Sequence, residues 1–317
     1  MKRKGNIWKD ICSIENLILA DKKARKGKRH QRGVKKHDKG KGCNIIMLHN
    51  MMMDRTYKTS DYSHFFIREE KVRLISRLPY FPDRIVHHAI MNKLVFHFTN
   101  DTYSCIKGKG IHPALANIVT AMKDVAGTKY CLKLDIKKFY PSVDNIILKG
   151  MLRRRFKDRD MLLTLDEIID SAKGLPLGNY LSQQFANFYL TPFDRWMKEV
   201  QKAVNYFRYM DDMVIFSNCK KYLHQLLANI KKYLSENLNL TVKDNYQVFL
   251  VESRGVDVLG YVIFHGYVLI RKRTKLRYIR MMVKNRNWPS EASYKGLFQY
   301  CKTANLIRTV SANCRYI

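Results

Sequence analysis

Two adjacent aspartates between apolar runs place the strongest constraint on how this chain can fold. Residues 205–217 read Asn-Tyr-Phe-Arg-Tyr-Met-Asp-Asp-Met-Val-Ile-Phe-Ser, so aromatic and β-branched residues flank Asp211 and Asp212 on both sides. Neighbouring side chains of a strand point to opposite faces, and a continuous strand would therefore bury one carboxylate in the core. We predict instead a β-hairpin that carries both carboxylates at its tip.

The paired carboxylates predict a metal site. Two unpaired carboxylates held close together repel each other and raise one pKa, and a bound divalent cation relieves this repulsion. A plain surface turn is the alternative, because Asp is common in turns. A metal site also needs a ligand from elsewhere in the chain.

Residues 130–144 supply that ligand. Apolar residues lead as a strand to Asp135, and Pro141 then marks a turn and the start of a helix. With Asp135 opposite Asp211 and Asp212, two magnesium ions could bridge a triphosphate and an attacking 3′-hydroxyl in an in-line displacement. This arrangement predicts the chemistry of a nucleic-acid polymerase.

The charge of the chain indicates a polyanionic partner. The 317 residues include 59 Lys and Arg but only 27 Asp and Glu, which gives a formal net charge of +32. Nucleic acid is the leading candidate. A membrane surface is the competing polyanion, but no apolar run is long enough for a transmembrane helix and the N-terminus lacks a signal-peptide pattern. We expect a cytoplasmic protein that does not bind membranes.

The cysteines and histidines do not predict a metal site of their own. The seven cysteines include no Cys-x-x-Cys pair, so we expect reduced, mostly buried thiols. His30, His37 and Cys43 match no metal-ligand spacing and are expected on a solvated surface. They lie in a basic N-terminal arm, residues 1–45, which is predicted to be a phosphate-binding arm or a disordered tail with a short helix over residues 7–20.

The segment after this arm predicts a half-exposed strand or hairpin and then a helix. Charged and apolar residues alternate from Ile67 to Arg77, and a helical period begins after Pro82. The hairpin would expose several basic side chains on one surface, namely Arg68, Lys71, Arg73 and Arg77. Guanidinium groups there suit a triphosphate, although an ordinary charged strand face is an equally good interpretation.

The order of these motifs resembles reverse transcriptases of the right-handed palm architecture. A basic strand, strand-end Asp135, a glycine-containing segment and Tyr209-Met-Asp-Asp212 follow one another as in that family, over roughly residues 65–285. The resemblance implies an α+β fold. Fingers would occupy residues 46–128, a palm of antiparallel sheet and helices residues 129–270, and a small helical thumb residues 271–317.

The resemblance also implies roles for individual residues. Asp135, Asp211 and Asp212 would be catalytic and would hold two Mg²⁺ ions, for which Mn²⁺ could substitute, with the backbone carbonyl of Ile136 as a further ligand. Tyr140 matches the aromatic gate that excludes ribonucleotides, and Arg73 matches the fingers arginine that contacts the triphosphate. The full nucleotide-binding set would be Arg68, Lys71, Arg73, Phe139, Tyr140, Leu177, Gly178, Ser182 and Gln183. Lys243 matches a lysine that protonates pyrophosphate, but an ordinary surface lysine remains the alternative.

One segment points to a subfamily. Most reverse transcriptases read Gln-Gly-x-x-x-Ser-Pro where this chain has Leu177-Gly178-Asn-Tyr-Leu-Ser182-Gln183. The aliphatic residue and the Gln resemble reverse transcriptases of diversity-generating retroelements, which are bacterial or phage-encoded. Leu in place of an amide removes a hydrogen-bonding group from the contact with the incoming nucleotide, so looser base selection is expected. In that family the loss accompanies misincorporation opposite template adenines.

The implied partners are a template RNA, the RNA/cDNA duplex, dNTPs and a pentameric accessory variability protein. Two other interpretations stay open. The chain could be a group II intron or retron type reverse transcriptase, which Leu177 and Gln183 disfavour. It could also be a non-catalytic RNA-binding scaffold, which the intact Asp135, Asp211 and Asp212 argue against.

Overall fold

A computed structural model describes residues 3–68, 72–98, 102–284 and 288–313. The chain divides into two compact units. The first unit comprises Met1–Asp101, Lys137–Asp194 and Tyr233–Thr241, and the second comprises Thr102–Ile136, Arg195–Lys232 and Val242–Ile317. The predicted boundaries of fingers, palm and thumb stay a prediction.

Helices and antiparallel strands both contribute to the fold. The helices are α1 (Trp8–Cys12), α2 (Ile14–Ala24), α3 (Arg32–Asp38), α4 (Lys41–Met53), α5 (Ile85–Leu94), α6 (Ile111–Ala121), α7 (Phe139–Ser142), α8 (Asn145–Arg155), α9 (Arg159–Asp170), α10 (Tyr180–Tyr189), α11 (Thr191–Glu199), α12 (Lys220–Leu238), α13 (Val251–Arg254), α14 (Lys272–Lys284), α15 (Trp288–Phe298) and α16 (Ala304–Asn313). The strands are β1 (Ser63–Arg68), β2 (Val72–Arg77), β3 (Tyr130–Leu134), β4 (Tyr206–Tyr209), β5 (Asp212–Ser217), β6 (Gln247–Leu250), β7 (Val256–Val258), β8 (Tyr261–Ile263) and β9 (Val268–Ile270). Short helical turns cover Tyr80–Arg84 and Val95–His97.

The basic N-terminal arm is folded, so the prediction of a disordered tail was wrong. Helices α1 to α4 bury Ile11, Leu17, Val34 and Leu48 completely. Apolar residues at helical spacing therefore outweigh the repulsion among the surrounding cations. His37, expected on a solvated surface, is buried and stacks on the ring of Phe81 at a centroid distance of 5.4 Å.

A buried carboxylate holds this arm together. Asp21 is fully buried and accepts hydrogen bonds from Arg25 at 2.8 and 2.9 Å and from the hydroxyl of Tyr80 at 2.6 Å. Lys41 lies 3.2 Å from the same carboxylate. Burial alone would raise the pKa of Asp21, but the hydrogen bonds from Arg25, Tyr80 and Lys41 outweigh it and hold the pKa below its ordinary value. Tyr80 thereby ties α2 to the chain that follows β2.

Of the strand or hairpin expected after the arm, the structure contains the hairpin. Strands β1 and β2 pair antiparallel, with Ile67 opposite Arg73 and Arg68 opposite Val72. Both strands are largely exposed. Helix α5 follows Pro82 as predicted and is almost entirely buried.

Two antiparallel sheets organise the second unit. The first has the strand order β4-β5-β3-β6 and the second β7-β8-β9. Val214 and Phe216 of β5 pack with Val258 and Tyr261 of the second sheet in one apolar core. The mixture of helices and antiparallel sheets confirms the predicted α+β class.

Two further expectations need correction. The apolar and β-branched residues of 241–251 predict a strand across this segment, but only β6 forms there, because a turn at Asp244 and Asn245 interrupts it. Val242 makes an isolated bridge to Ile136 instead. The six cysteines that the structure describes are not mostly buried: Cys12 and Cys131 are buried, Cys105 and Cys301 are half-buried, and Cys43 and Cys219 are exposed.

Helices α14, α15 and α16 cover most of the described residues after Arg271. Helix α15 begins at Trp288, so Pro289 lies in its first turn, where a missing backbone N–H costs little. Among the described residues, none of the helices has both the length and the apolar character needed to cross a bilayer.

We predict that Asp21→Asn destabilises the protein by about 3 kcal/mol, because it removes the buried negative charge that Arg25, Lys41 and Tyr80 share. Chemical denaturation at pH 7 measures the change. Asp38→Asn is the control, since Asp38 also pairs with Arg25 but is 44% exposed, and it should cost less than about 1 kcal/mol. Because the folded pKa of Asp21 is depressed, its contribution is present above about pH 4 and is lost as the pH falls through that pKa. Equal destabilisation by both variants would contradict this role.

Candidate active site

The hairpin formed by β4 and β5 carries the paired aspartates. Tyr209 pairs with Asp212, so Met210 and Asp211 form the turn and Asp212 is the first residue of β5. Met210 has φ 57°, a left-handed conformation that is uncommon for a residue other than glycine. The aspartates therefore lie at the tip of the hairpin, where the sequence predicts them.

Strand β3 brings Asp135 to the same place. It pairs antiparallel with β5, and Leu134 lies opposite Met213. Continued by one residue, this register puts Asp135 beside Asp212. The main chain of Asp135 is fixed on its other side, where the N–H of Lys243 donates to its carbonyl oxygen at 2.8 Å. Asp135 thus meets Asp211 and Asp212, which lie far from it in the sequence, at one edge of the sheet.

Lys243 is paired with this cluster. Its ammonium donates to Oδ2 of Asp135, and its side chain is 26% exposed. Lys243 is therefore partly exposed and ion-paired, and both its role as a general acid and the alternative of an ordinary surface lysine stay predictions. Lys133 lies two residues before Asp135 on the same face of β3 and donates to the backbone carbonyl of Asp257.

The carboxylates perturb one another. Burial, followed by the charge of Asp135, raises the pKa of Asp211 to about 7. The pKa of Asp212 is raised by burial and by Asp135, while Lys133, Lys243 and Arg271 oppose the rise. The cluster thus holds more negative charge than its surroundings neutralise, which favours a bound cation.

The donor set fits a hard divalent cation. Oδ1 of Asp135 is buried and has no hydrogen-bond partner among the described residues, so it is available as a ligand. Asp211 supplies a second carboxylate next to it. Mg²⁺ prefers such oxygen ligands and is commonly held by one or two carboxylates together with substrate phosphates. Within the described part of the chain, no group of three or more His, Cys, Asp and Glu side chains has metal-binding geometry. A metal here would thus be bound by two carboxylates with backbone or substrate oxygens.

A buried arginine supports the hairpin tip and was missed by the sequence reasoning. Arg208 is 1% exposed, and its Nη1 donates to the carbonyl oxygen of Met210 at 2.9 Å. Its own carbonyl oxygen accepts from the hydroxyl of Thr102 at 3.1 Å. The available signal was the alternation of β4, which places Arg208 on the same face as the buried Tyr206.

The predicted nucleotide-binding residues lie in the first unit. Phe139 is buried and Tyr140 half-buried on α7, with their rings 5.8 Å apart. The carbonyl oxygen of Tyr140 accepts from the N–H of Leu175 at 2.9 Å. Gly174 has φ 68°, and a Cβ there would lie 2.6 Å from the carbonyl oxygen of Pro141. Only glycine therefore allows the segment 174–178 to pack this closely against α7.

The segment around Leu177 is also attached to the hairpin of β1 and β2. The N–H of Ser76 donates to the carbonyl oxygen of Leu177 at 2.7 Å. Gly178 has φ 115°, and a Cβ there would lie 2.7 Å from the carbonyl oxygen of Ser76. Leu177 itself is half-buried.

The remaining members of the predicted set differ in exposure. Arg68 and Arg73 are exposed on β1 and β2, whereas Lys71 lies outside the described residues. On α10, Ser182 is buried and Gln183 is exposed. The roles of all these side chains stay predictions.

Comparison with known proteins identifies the family. The reverse transcriptase (RNA-dependent DNA polymerase) family matches residues 58–263, well over half of the chain. The chain belongs to this family. A retron Ec73 reverse transcriptase from Escherichia coli is 23% identical over 222 residues, which cover 62% of this chain and 67% of the relative. Together they support an RNA-directed DNA polymerase, as the sequence predicts.

Solved structures agree with the fold of the reverse transcriptase family. Apo telomerase from Candida tropicalis has a TM-score of 0.50 at 12% identity, over 68% of this chain and 49% of that one. Telomerase from Candida albicans, in complex with a TWJ fragment of telomeric RNA, has a TM-score of 0.50 at 11% identity, over 73% and 51%. The chain spans about half the length of these telomerases, and at such identities the likeness shows the fold alone.

We predict that the metal-free protein loses stability as the pH rises from about 4 to about 7, because folding raises the pKa of Asp211. In EDTA at pH 8, Asp211→Asn should therefore be more stable than the wild type by about 2 kcal/mol.

Adding Mg²⁺ should raise the melting temperature of the wild type but not that of the Asp211→Asn variant. Asp244→Asn, in an exposed turn, serves as the control. An Mg²⁺ response that survives in Asp211→Asn would exclude this carboxylate as a ligand.

Proposed function

We propose that the protein copies a template RNA into DNA by two-metal phosphoryl transfer. The observation that carries the proposal is the meeting of Asp135, Asp211 and Asp212 at one sheet edge, with Oδ1 of Asp135 buried and unpartnered among the described residues. When bound, the two Mg²⁺ ions would activate the 3′-hydroxyl and neutralise charge on the triphosphate.

The residues of the chain have separate tasks in this proposal. Asp135 and Asp211 would hold the metal ions, together with the backbone carbonyl of Ile136, and Asp212 would lie near the primer terminus. Arg208 would keep the tip of the hairpin in position through its bond to Met210. Lys243, already next to Asp135, would give a proton to the leaving pyrophosphate.

We predict that Asp211→Asn lowers primer extension on an RNA template by about a thousandfold or more, because a metal-binding carboxylate is removed. Binding of the RNA template, measured by fluorescence anisotropy, should be unchanged. Asp244→Asn should extend primers like the wild type. Undiminished extension by Asp211→Asn would refute the metal assignment, while an equal fall in RNA binding would indicate a folding defect.

The finer proposal is that the enzyme belongs to a diversity-generating retroelement and makes adenine-mutagenised cDNA. It is supported by Leu177 and Gln183, which occupy the positions of the Gln and Pro found in most reverse transcriptases. The half-buried Leu177 offers the incoming nucleotide apolar packing and no side-chain hydrogen bond. The pentameric accessory variability protein is proposed as a partner by the same resemblance. A retron type reverse transcriptase remains the second candidate, because a retron enzyme is among the matching relatives.

We predict that Leu177→Gln lowers misincorporation opposite template adenine about fivefold, because the free energy of one recovered hydrogen bond corresponds to about that factor. Leu177→Met is the matched control, since it keeps an apolar side chain of similar volume. Sequencing of cDNA from a defined RNA template measures the error at each template base. A wild type whose errors are equally frequent at all four template bases would favour the retron type enzyme.

A further inference from the structure

A tyrosine outside every predicted motif holds the segment that carries Leu177. Nδ2 of Asn179, two residues after Leu177, donates to the hydroxyl of Tyr62 at 2.9 Å across 117 residues of sequence. Asn179 is 7% exposed and immediately precedes α10, while Tyr62 immediately precedes β1. The contact therefore joins this segment to the start of the β1–β2 hairpin, within the first unit.

The hydroxyl of Tyr62 is the middle of a chain of hydrogen bonds whose direction is fixed. It lies 2.8 Å from Oγ of Ser171. That Oγ donates its single proton to the carbonyl oxygen of Ile168 at 2.6 Å, so it accepts the proton of Tyr62. The chain thus runs from Asn179 through Tyr62 and Ser171 to the last turn of α9. Hydrogen bonds aligned in this way strengthen one another.

This chain restrains the segment where its backbone is most free. Gly178 lies between Leu177 and Asn179 and has φ 115°, a conformation that only glycine adopts readily. On the other side of Gly178, the carbonyl oxygen of Leu177 accepts from the N–H of Ser76 at 2.7 Å. The segment is consequently bonded on both sides of its flexible residue, once to β2 and once to Tyr62.

The packing of Tyr62 can be separated from its hydrogen bonds. Its ring stacks on that of His64 at a centroid distance of 6.2 Å, and this contact does not involve the hydroxyl. Tyr62→Phe would therefore keep the ring and remove only the link to Asn179 and Ser171. The amide of Asn179 would lose this acceptor in a buried position, which weakens the attachment of the segment.

We propose that Tyr62 is a positioning residue for nucleotide selection, which acts through Asn179 and Gly178 to fix the place of Leu177. The role of Tyr62 rests on the proposed contact between Leu177 and the incoming nucleotide. A side chain that selects a nucleotide must be held in one position by the residues behind it, because a mobile side chain adapts to a mispair as well as to a correct pair.

The test compares Tyr62→Phe with Tyr57→Phe, a matched control from the same stretch of chain. The hydroxyl of the buried Tyr57 donates to Asp83 at 2.9 Å, so its loss also removes a buried hydrogen bond, but one made to a different segment. Primer extension on a defined RNA template gives kcat, the KM for each dNTP and the frequency of misincorporation. Thermal unfolding measures the stability, and hydrogen exchange at the amide of Ser76 reports on the attachment of Leu177 without catalysis.

The expected result is that Tyr62→Phe raises the KM for the correct dNTP about fivefold and leaves kcat within about twofold, because the segment occupies its binding position less often. Misincorporation should rise about threefold, since the correct nucleotide loses more than a mispair does. The amide of Ser76 should exchange about fivefold faster. Tyr62→Phe/Asn179→Ala should be no worse than Asn179→Ala alone, because both changes break one contact.

Tyr57→Phe should lower the melting temperature while leaving the KM, the misincorporation and the Ser76 exchange unchanged. Equal effects of Tyr57→Phe and Tyr62→Phe on the KM would indicate general loosening and overturn the proposal. It would be overturned by itself if Leu177→Gln altered misincorporation while Tyr62→Phe altered neither the KM nor misincorporation. If both of these variants selected nucleotides like the wild type, the proposed contact of Leu177 with the nucleotide would be refuted, and the role of Tyr62 with it.

Discussion

Repulsion between the carboxylates of Asp135, Asp211 and Asp212 is the constraint on which the arrangement of the second unit depends. The sheet brings them together at one edge, although burial and proximity raise the pKa values of Asp211 and Asp212. Such a cluster persists only where the surrounding structure compensates its cost. Here the apolar core between the two sheets, together with the buried Arg208, supplies that compensation.

Cations next to the cluster moderate this repulsion without removing it. Lys243 pairs with one oxygen of Asp135, while Lys133 and Arg271 limit the rise that burial and Asp135 cause in the pKa of Asp212. The other oxygen of Asp135 remains buried without a partner among the described residues. A site that is incompletely neutralised in this way is suited to binding and releasing cations, which a polymerase must do in every catalytic cycle.

Among its described residues, the first unit contains a buried carboxylate that is neutralised and a group of cations that is not. The buried carboxylate of Asp21, in the N-terminal arm, interacts with Arg25, Lys41 and the hydroxyl of Tyr80. These interactions help the arm to fold despite its many cations. Farther along, Lys28, Arg77 and Arg84 line a common cavity, to which no Asp or Glu of the described residues contributes. A carboxylate with several partners thus stabilises the arm, whereas the cations of the cavity lack such a partner among the described residues. The basic residues of the first unit are consequently not distributed evenly, because some surround Asp21 and others line the cavity.

Patterns along the chain were sufficient to predict the local elements and the family. Alternating apolar residues predicted the hairpins. Asp211 and Asp212 were expected at a hairpin tip, because burying one carboxylate within a strand costs too much free energy. The order of the motifs identified a reverse transcriptase. Packing between distant segments decided the rest. The folding of the arm depends on Asp21 meeting Tyr80, which lies 59 residues away, and the pairing of Lys243 with Asp135 spans 108 residues. Composition and periodicity describe neighbours along the chain, whereas these contacts form only when the chain is folded, and therefore no local pattern reveals them.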